Sequence, residues 1–261
     1  KALRASSPLG DTVAARQRIL EMNDVRVVIE CLWQSDAKGN AAGADAYEHW
    51  MYTIYPTGQI FVSATTSALH EEGSQQAGMA VNMAWSPTAP SVRLVRSEGV
   101  KGASSGSTSA DFAVARGAED AAALLFIPYS DGDPAQWKEI SDAATRTTSL
   151  IWSKSRTAEP LQTWRCQIVL ASANAIDDGE VAARAIDYTE PGSVRIEVGR
   201  VQTGAMFRSD GFDPGTGCFH VATDGNRARM IVDGKKRPSF SPAFQVDGGS
   251  NDQAWVYVNY L

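Results

Sequence analysis

The sequence predicts an all-β fold, a large antiparallel β-sandwich with little helix. Runs of β-branched, aromatic and aliphatic residues alternate with polar residues along the chain, which is the period-two pattern of strands that bury one face. Gly, Pro, Asn and Asp interrupt these runs about every ten residues, the spacing typical of sandwich or barrel strands. No repeat of fixed period is visible, so the pattern does not indicate a solenoid or a propeller.

The clearest element is a hairpin over residues 47–67, YEHWMYTIYPTGQIFVSATTS. Its two alternating runs are separated by Pro56-Thr57-Gly58. Proline presets φ at the first central turn position, and glycine supplies the positive φ that a type II or bulged turn needs. We therefore expect two antiparallel strands that share one buried face.

The same alternation predicts further strands joined by short turns. In chain order they lie at residues 25–34, 76–85, 91–97, 111–116, 121–129, 148–153, 163–171, 193–201, 218–223, 227–232 and 255–260. Asp224-Gly225-Asn226 predicts a tight hairpin between two of them. Helix is expected in two places only, as one or two turns within residues 131–146 and as a short helix over residues 176–187.

One domain is expected over residues 25–261, after a lead-in segment over residues 1–24. Within that lead-in, residues 13–22 could form a short helix or strand. The Gly- and Ser-rich stretch GVKGASSGSTS at residues 99–109 predicts a flexible loop. Strand patterns continue on both sides of this loop, which favours one extended sandwich over two domains. The chain opens at Lys1 without a signal peptide, which suggests a processed product of a longer chain.

Length and charge limit the function classes. The 261 residues are 43% hydrophobic, enough to bury a substantial core. The formal net charge of −6 disfavours general nucleic-acid binding, because phosphate contacts need a basic surface. No apolar run approaches the roughly 20 residues of a membrane helix, so no membrane partner is expected.

The three cysteines do not have the spacing of a zinc site. Cys31 and Cys166 alternate in phase with the apolar residues of their strands, and the third cysteine is Cys218. Buried free thiols are the simpler interpretation, and one disulfide with a cysteine left over is the alternative. No cofactor is expected. Structural calcium is possible at acid-glycine clusters such as Asp131-Gly132-Asp133, although their spacing is also that of ordinary turns.

Tyr47, His49 and Tyr55 form the first candidate site because alternation places them on one face of a strand, with Trp50 on the opposite, core-like face. Histidine suits general acid or base chemistry near neutral pH, and a neighbouring tyrosine could relay or donate a proton. The alternative is an outward strand face with ordinary aromatic cross-strand pairs.

A second candidate site is the pair Arg165 and Gln167, which alternate with Cys166 and face away from it. Adjacent arginine and glutamine side chains can grip a carboxylate or sugar hydroxyls. A solvated strand face is the alternative interpretation.

The third candidate site is His220 with Arg227 and Arg229, on either side of the Asp224–Asn226 turn. In a short hairpin these side chains could form one basic patch that favours an acidic ligand. The alternative is a solvated sheet edge. Serine hydrolases of the nucleophile-elbow type, P-loop NTPases, Rossmann enzymes and zincins are disfavoured because their motifs are absent.

The order of these features resembles a known architecture. VRVVIECLW, then YEHWMYTIYPTGQIFVSATTSAL, then QAGMAVNMAW is similar to the large β-sandwich domains of polysaccharide lyases and β-galactosidases. Those domains are supersandwiches with a galactose-mutarotase-like architecture. The C-terminal stretch GFDPGTGCFHVATDGNRARMIVDG is also similar to strands of bacterial carbohydrate-active proteins. The resemblance spans most of residues 25–246 and implies a secreted or periplasmic protein that acts on a polysaccharide.

The leading hypothesis is therefore a lyase that cleaves a uronic-acid polysaccharide by β-elimination. Arg165 and Gln167 would neutralise the carboxylate, His49 would be the base, and Tyr55 would be the acid. His220 is the reserve base, and the expected substrate-binding residues are Tyr47, Arg227 and Arg229.

Two other functions remain open from the sequence. One is a non-catalytic carbohydrate-binding or accessory domain of a larger enzyme, since seven tryptophans could stack on sugars. The other is a glycoside hydrolase, which needs two carboxylates facing each other across a cleft. Glu30, Glu48 and Glu197 lie in predicted strands, but alternation pairs none of them.

Overall fold

The computed structural model describes the following residues: 3–4, 14–35, 46–67, 76–84, 91–96, 99–102, 108–117, 122–129, 135–155, 161–172, 178–190, 194–204, 207–233 and 239–248. Twenty strands and one helix lie in this part of the chain, which confirms the all-β prediction. The strands are β1 (Leu3–Arg4), β2 (Ala14–Met22), β3 (Val27–Ser35), β4 (Ala46–Ile54), β5 (Gln59–Ser67), β6 (Gln76–Ala84), β7 (Ser91–Arg96), β8 (Gly99–Gly102), β9 (Thr108–Ala110), β10 (Phe112–Arg116), β11 (Ala122–Pro128), β12 (Ala135–Asp142), β13 (Thr147–Ser155), β14 (Leu161–Ser172), β15 (Val194–Val198), β16 (Arg200–Val201), β17 (Phe212–Asp213), β18 (Cys218–Ala222), β19 (Arg229–Val232) and β20 (Ala243–Asp247). The helix is α1 (Asp178–Thr189).

Two antiparallel sheets form the sandwich. The large sheet has nine strands in the order β2-β3-β4-β5-β14-β11-β10-β7-β8, and the second sheet has five in the order β1-β6-β13-β12-β9. Between them lies the first core, which is rich in tryptophan. In it, Trp152 of the second sheet and Trp164 of the large sheet meet edge to face, with 5.9 Å between ring centroids. We call the side of the large sheet that faces this core its first face.

The second face of the large sheet carries a third layer that the sequence did not predict. Helix α1, the β15–β19 pair and the small sheet around β18 supply this layer. The second core lies between this layer and the large sheet. In it, the ring centroid of Phe61 of the large sheet lies 5.9 Å from that of Tyr188 of α1 and 6.3 Å from that of Phe212 of β17. The middle of the large sheet is therefore buried on both faces, which explains continuous apolar runs such as AALLFIP in β11.

Arg208 fixes helix α1 to this layer. Its Nη1 donates hydrogen bonds to the carbonyls of Asp187 and Tyr188, at 2.5 and 3.0 Å, in the last turn of α1. Its Nη2 pairs with Asp210 at 2.8 Å, and both side chains are almost fully buried. An arginine at the carboxyl end of a helix satisfies free carbonyls and complements the helix dipole. This arginine comes from a distant segment, so no local pattern signals it.

Both predicted turns are present. Gly58 donates to the carbonyl of Tyr55 and has a φ of +83°, which is the bulged form of the turn rather than type II. Asp224 and Arg227 bridge across Gly225 and Asn226, whose φ values of 52° and 65° define a type I′ turn. Strand β19 then pairs with β15 instead of continuing along β18.

Two segments differ from the sequence predictions. Helical turns expected within residues 131–146 are replaced by β12, because this segment pairs with β13 and β9 and buries Trp137 against Trp152. The stretch expected to be a loop at residues 99–109 contains β8 and part of β9. Within the expected lead-in, of the helix or strand allowed at residues 13–22 the structure has the strand, β2, which joins the large sheet beside β3. The helix expected over residues 176–187 is confirmed as α1.

The three cysteines are free and buried, as the simpler interpretation predicted. Burial raises the pKa of the Cys166 thiol. Among the described residues, no helix has the length and apolarity that a membrane span requires.

Candidate functional site

Among the described residues, the third layer leaves part of the second face of the large sheet uncovered. We call this region the polar face. Its members are charged, hydroxyl-bearing or apolar side chains that are exposed or half-buried: Arg16, Arg18, Glu30, Leu32, His49, Met51, Ser63, Thr65, Thr163 and Arg165. It carries three arginines against a single glutamate, so it is basic in a chain whose overall charge is negative.

The register of the sheet arranges these residues in two neighbouring rows across five strands. The first row runs Arg18, Glu30, Met51, Ser63, Arg165, in the strand order β2, β3, β4, β5, β14. The second row runs Arg16, Leu32, His49, Thr65, Thr163 over the same strands. Directly paired residues share a face, so all ten side chains leave the sheet on one side.

His49 is held by a carboxylate at the centre of the polar face. Its Nε2 lies 3.0 Å from Oε1 of Glu30, and 38% of its side chain is exposed. The other oxygen of Glu30 pairs with Nε of Arg18, whose Nη2 also donates to Oε1 at 3.2 Å. With a proton on Nε2 donated to Glu30, Nδ1 carries the free lone pair and can accept a proton.

We expect the Glu30 carboxyl to titrate below the usual range of glutamate, because hydrogen bonds from Arg18 and then from His49 lower its pKa. The folded-state pKa is then lower than the unfolded one. The resulting stabilisation is complete above the unfolded pKa and is lost as the pH falls through the folded pKa. An NMR titration of the Glu30 carboxyl carbon measures the midpoint. Arg18→Ala should raise this midpoint, and Arg195→Ala, the control, should leave it unchanged. An Arg18→Ala midpoint equal to that of the wild type would show that Arg18 does not lower the pKa of Glu30.

Tyr55 shares the face of His49, as predicted, but lies in the second core. Tyr55 is six positions after His49, which places their Cα atoms about 20 Å apart in an extended strand. The Tyr55 hydroxyl donates to the carbonyl of Thr216 at 2.9 Å and contacts Sγ of Cys218 at 2.9 Å, and burial raises its pKa. The structure therefore does not bring Tyr55 to His49. Tyr47 lies in β4, but its side chain is outside the described residues.

Arg165 and Gln167 point to the same side of β14, yet they have different surroundings. Arg165 is half-buried at the end of the first row, where its Nε is fully buried at the margin of the third layer. Gln167 is 5% exposed and lies under the third layer, where it lines a cavity of about 20 Å³ together with Arg184 and Asp187. This cavity has room for one water molecule and not for a sugar ring. Gln167 was predicted to lie on an outward face and to neutralise the substrate carboxylate together with Arg165. The third layer covers it, so Gln167 is not on the open surface.

His220, Arg227 and Arg229 do not form one patch. The His220 ring packs against Phe207 at 5.0 Å between centroids, and its Nε2 lies 3.9 Å from Asp213. Arg229 pairs with Glu197 at 3.2 Å on the β15–β19 sheet, and Arg227 is exposed at the turn. The separation arises because β19 pairs with β15, so the strands after the turn diverge.

The carboxylates do not form a hydrolase pair. Glu48 is fully buried in the first core and accepts a hydrogen bond from Nε1 of Trp50 at 3.1 Å. Glu30 lies on the opposite face of the large sheet, and Glu197 belongs to the third layer. Among the described residues, no three His, Cys, Asp or Glu side chains are grouped to hold a metal ion. The cluster Asp131-Gly132-Asp133 lies outside the described residues.

No protein-family profile and no curated protein matches this sequence. Several solved structures are similar to it, among them two of one enzyme. One is heparan sulfate lyase HepC from Pedobacter heparinus, with 9% sequence identity, a TM-score of 0.35 and coverage of 74% of this chain. The other is a HepC mutant from the same organism, with 8% identity, a TM-score of 0.35 and coverage of 85% of this chain. The present chain spans 25% and 28% of those two chains, about a quarter of their length.

Proposed function

We propose that the protein is a polysaccharide lyase that binds an acidic polysaccharide on the polar face and cleaves it by β-elimination, with His49 as the base. The observation that carries the proposal is the position of His49. More than a third of its side chain is exposed, it is oriented by Glu30, and it lies on the same face of the large sheet as Arg165, which is half-buried at the margin of the third layer two strands away. From the sheet spacings, the Cα atoms of His49 and Arg165 are about 12 Å apart. Ser63 lies on the strand between them and is next to Gly215 of the third layer, so a sugar bound between His49 and Arg165 would lie at the margin of that layer.

The reaction follows from these two groups. The proton on C5 of a uronic acid is made acidic by the adjacent carboxylate once that carboxylate is neutralised. Arg165 supplies the neutralising charge, and Nδ1 of His49 takes the C5 proton. The electron pair forms a C4–C5 double bond and the C4–O bond to the next sugar breaks. The leaving oxygen then takes a proton, which the His49 imidazolium can return.

The test is an assay for the unsaturated product. Alginate, glucuronan, ulvan and glycosaminoglycans are each incubated with the protein while ultraviolet absorbance of the C4–C5 double bond is recorded. We expect an increase on at least one of these acidic polymers and none on a neutral glucan. No increase on any acidic polymer contradicts the lyase proposal.

A carbohydrate-binding domain without catalysis is the second candidate. It is favoured by the open form of the polar face and by the distance between His49 and Tyr55, which leaves His49 without the proton donor that the sequence suggested. Isothermal titration calorimetry on the same polymers distinguishes the two candidates. Saturable binding to an acidic polymer without unsaturated product indicates the binding domain.

A further inference from the structure

Arg16 is a cation of the polar face that neither acts in the proposed reaction nor binds Glu30 as Arg18 does. It is exposed on β2 and begins the row that contains His49. Within the described part of the chain, no hydrogen bond or ion pair engages its guanidinium, whereas Arg18 beside it is bound to Glu30. Arg16 therefore keeps its donors available to a ligand.

The position of Arg16 relative to the other cation limits what that ligand can be. His49 lies two strands from Arg16, about 10 Å between Cα atoms at the usual strand spacing. Arg165 lies four strands from Arg16, about 19 Å across the sheet. A single sugar carboxylate held by Arg165 cannot reach Arg16. Only a chain that crosses the strands can contact both arginines while one of its sugars lies over His49.

We propose that Arg16 binds the carboxylate or sulfate of a second sugar, on the opposite side of His49 from Arg165. This inference rests on the proposed function and adds the substrate class, a chain with anionic groups on separate sugars that is bound across the polar face and cleaved internally. Among the described strands, the one that carries Arg16 is outermost in the large sheet, so a polysaccharide that crosses the strands would reach Arg16 last. Bidentate donation to a carboxylate or sulfate is the geometry that a guanidinium provides.

Arg16→Ala tests the inference against Lys138→Ala as the matched control. Lys138 is exposed on β12 and alternates with the buried Trp137, so it lies on the outer face of the second sheet and its loss removes the same charge. KM, or Kd where only binding occurs, is measured on a long polymer and on the shortest fragment that responds. Arg16→Ala should raise the value for the long polymer about three- to tenfold at unchanged kcat, and it should weaken the salt dependence.

The outcomes separate this inference from the proposed function. The inference is supported when Arg16→Ala raises KM or Kd for the long polymer and not for the short fragment. A comparison of sulfated with unsulfated polymers then tells which anion Arg16 binds. It is overturned when Arg16→Ala and Lys138→Ala behave alike on the long polymer, in which case wild-type turnover still supports the lyase. If the wild-type protein neither cleaves nor binds any acidic polymer, the proposed function and this inference both fail.

Discussion

His49→Ala should lower kcat for polysaccharide cleavage by about 10²- to 10⁴-fold, the usual contribution of a general base. The loss is expected in kcat because, in the proposed reaction, the imidazole accepts its proton only as the C5–H bond breaks, and the arginines of the polar face would still bind the polymer. The unfolding midpoint should change little, since more than a third of the His49 side chain is exposed. Initial rates from ultraviolet absorbance, together with thermal unfolding of both proteins, provide the measurement.

Two variants sharpen this result. Glu30→Gln keeps the shape of the side chain that orients His49 but removes its charge, so kcat should fall by less than in His49→Ala and KM should stay close to wild type. His220→Ala tests the reserve base that the sequence suggested. If His220→Ala abolishes turnover while His49→Ala retains it, the base lies in the third layer and the assignment of the polar face is wrong.

Strand periodicity predicts which side chains share a face, and here it did so reliably. Alternation in β3 places Glu30 opposite Cys31, and the structure has Cys31 in the first core and Glu30 on the second face. Alternation in β4 places Trp50 in the core and His49 on the other side, which is also observed. The alternation of side chains along a strand depends only on neighbouring residues, so it can be predicted from a single sequence.

The period of two does not predict contacts between residues of different strands. The ion pair of Arg18 with Glu30 and the contact of Glu30 with His49 depend on the registers of β2, β3 and β4. Sequence patterns point to His49 but give Arg16, Arg18 and Glu30 no role in its site. The alternating arginines of β2 were the available signal, and they lay in a segment interpreted as a lead-in.

The third layer was the larger omission. Arg165 and Gln167 form an outward-looking polar pattern on β14, and a two-layer sandwich would leave both in solvent. The segments that cover Gln167 come from residues beyond 178, and their docking is determined by aromatic contacts such as that of Phe61 with Tyr188. Such contacts join residues more than a hundred positions apart, and local patterning carries no information about them.

Gly217→Ala should be strongly destabilising, because Gly217 lies where the third layer meets the large sheet. Its φ is +72°, and a Cβ added there would lie 2.2 Å from the ring of Phe61. The left-handed backbone costs a side chain about 1–2 kcal/mol, and forcing a methyl group into a packed aromatic core adds about 1–3 kcal/mol. We expect the free energy of unfolding to fall by about 2–5 kcal/mol in denaturant titrations.

Gly225→Ala is the matched control for this experiment. Gly225 also has a positive φ, +52°, but no atom lies within 4 Å of the Cβ that alanine would add. It should therefore lose only the backbone cost, about 1–2 kcal/mol, and the difference between the two variants measures the packing of the third layer on Phe61. Amide exchange should also quicken around Tyr188 in Gly217→Ala alone, because Tyr188 contacts the displaced ring. Equal losses of stability in the two variants would mean that the turn at Gly217 does not pack against Phe61 of the large sheet. The edge of the third layer, beyond which His49 is uncovered, would then lie elsewhere.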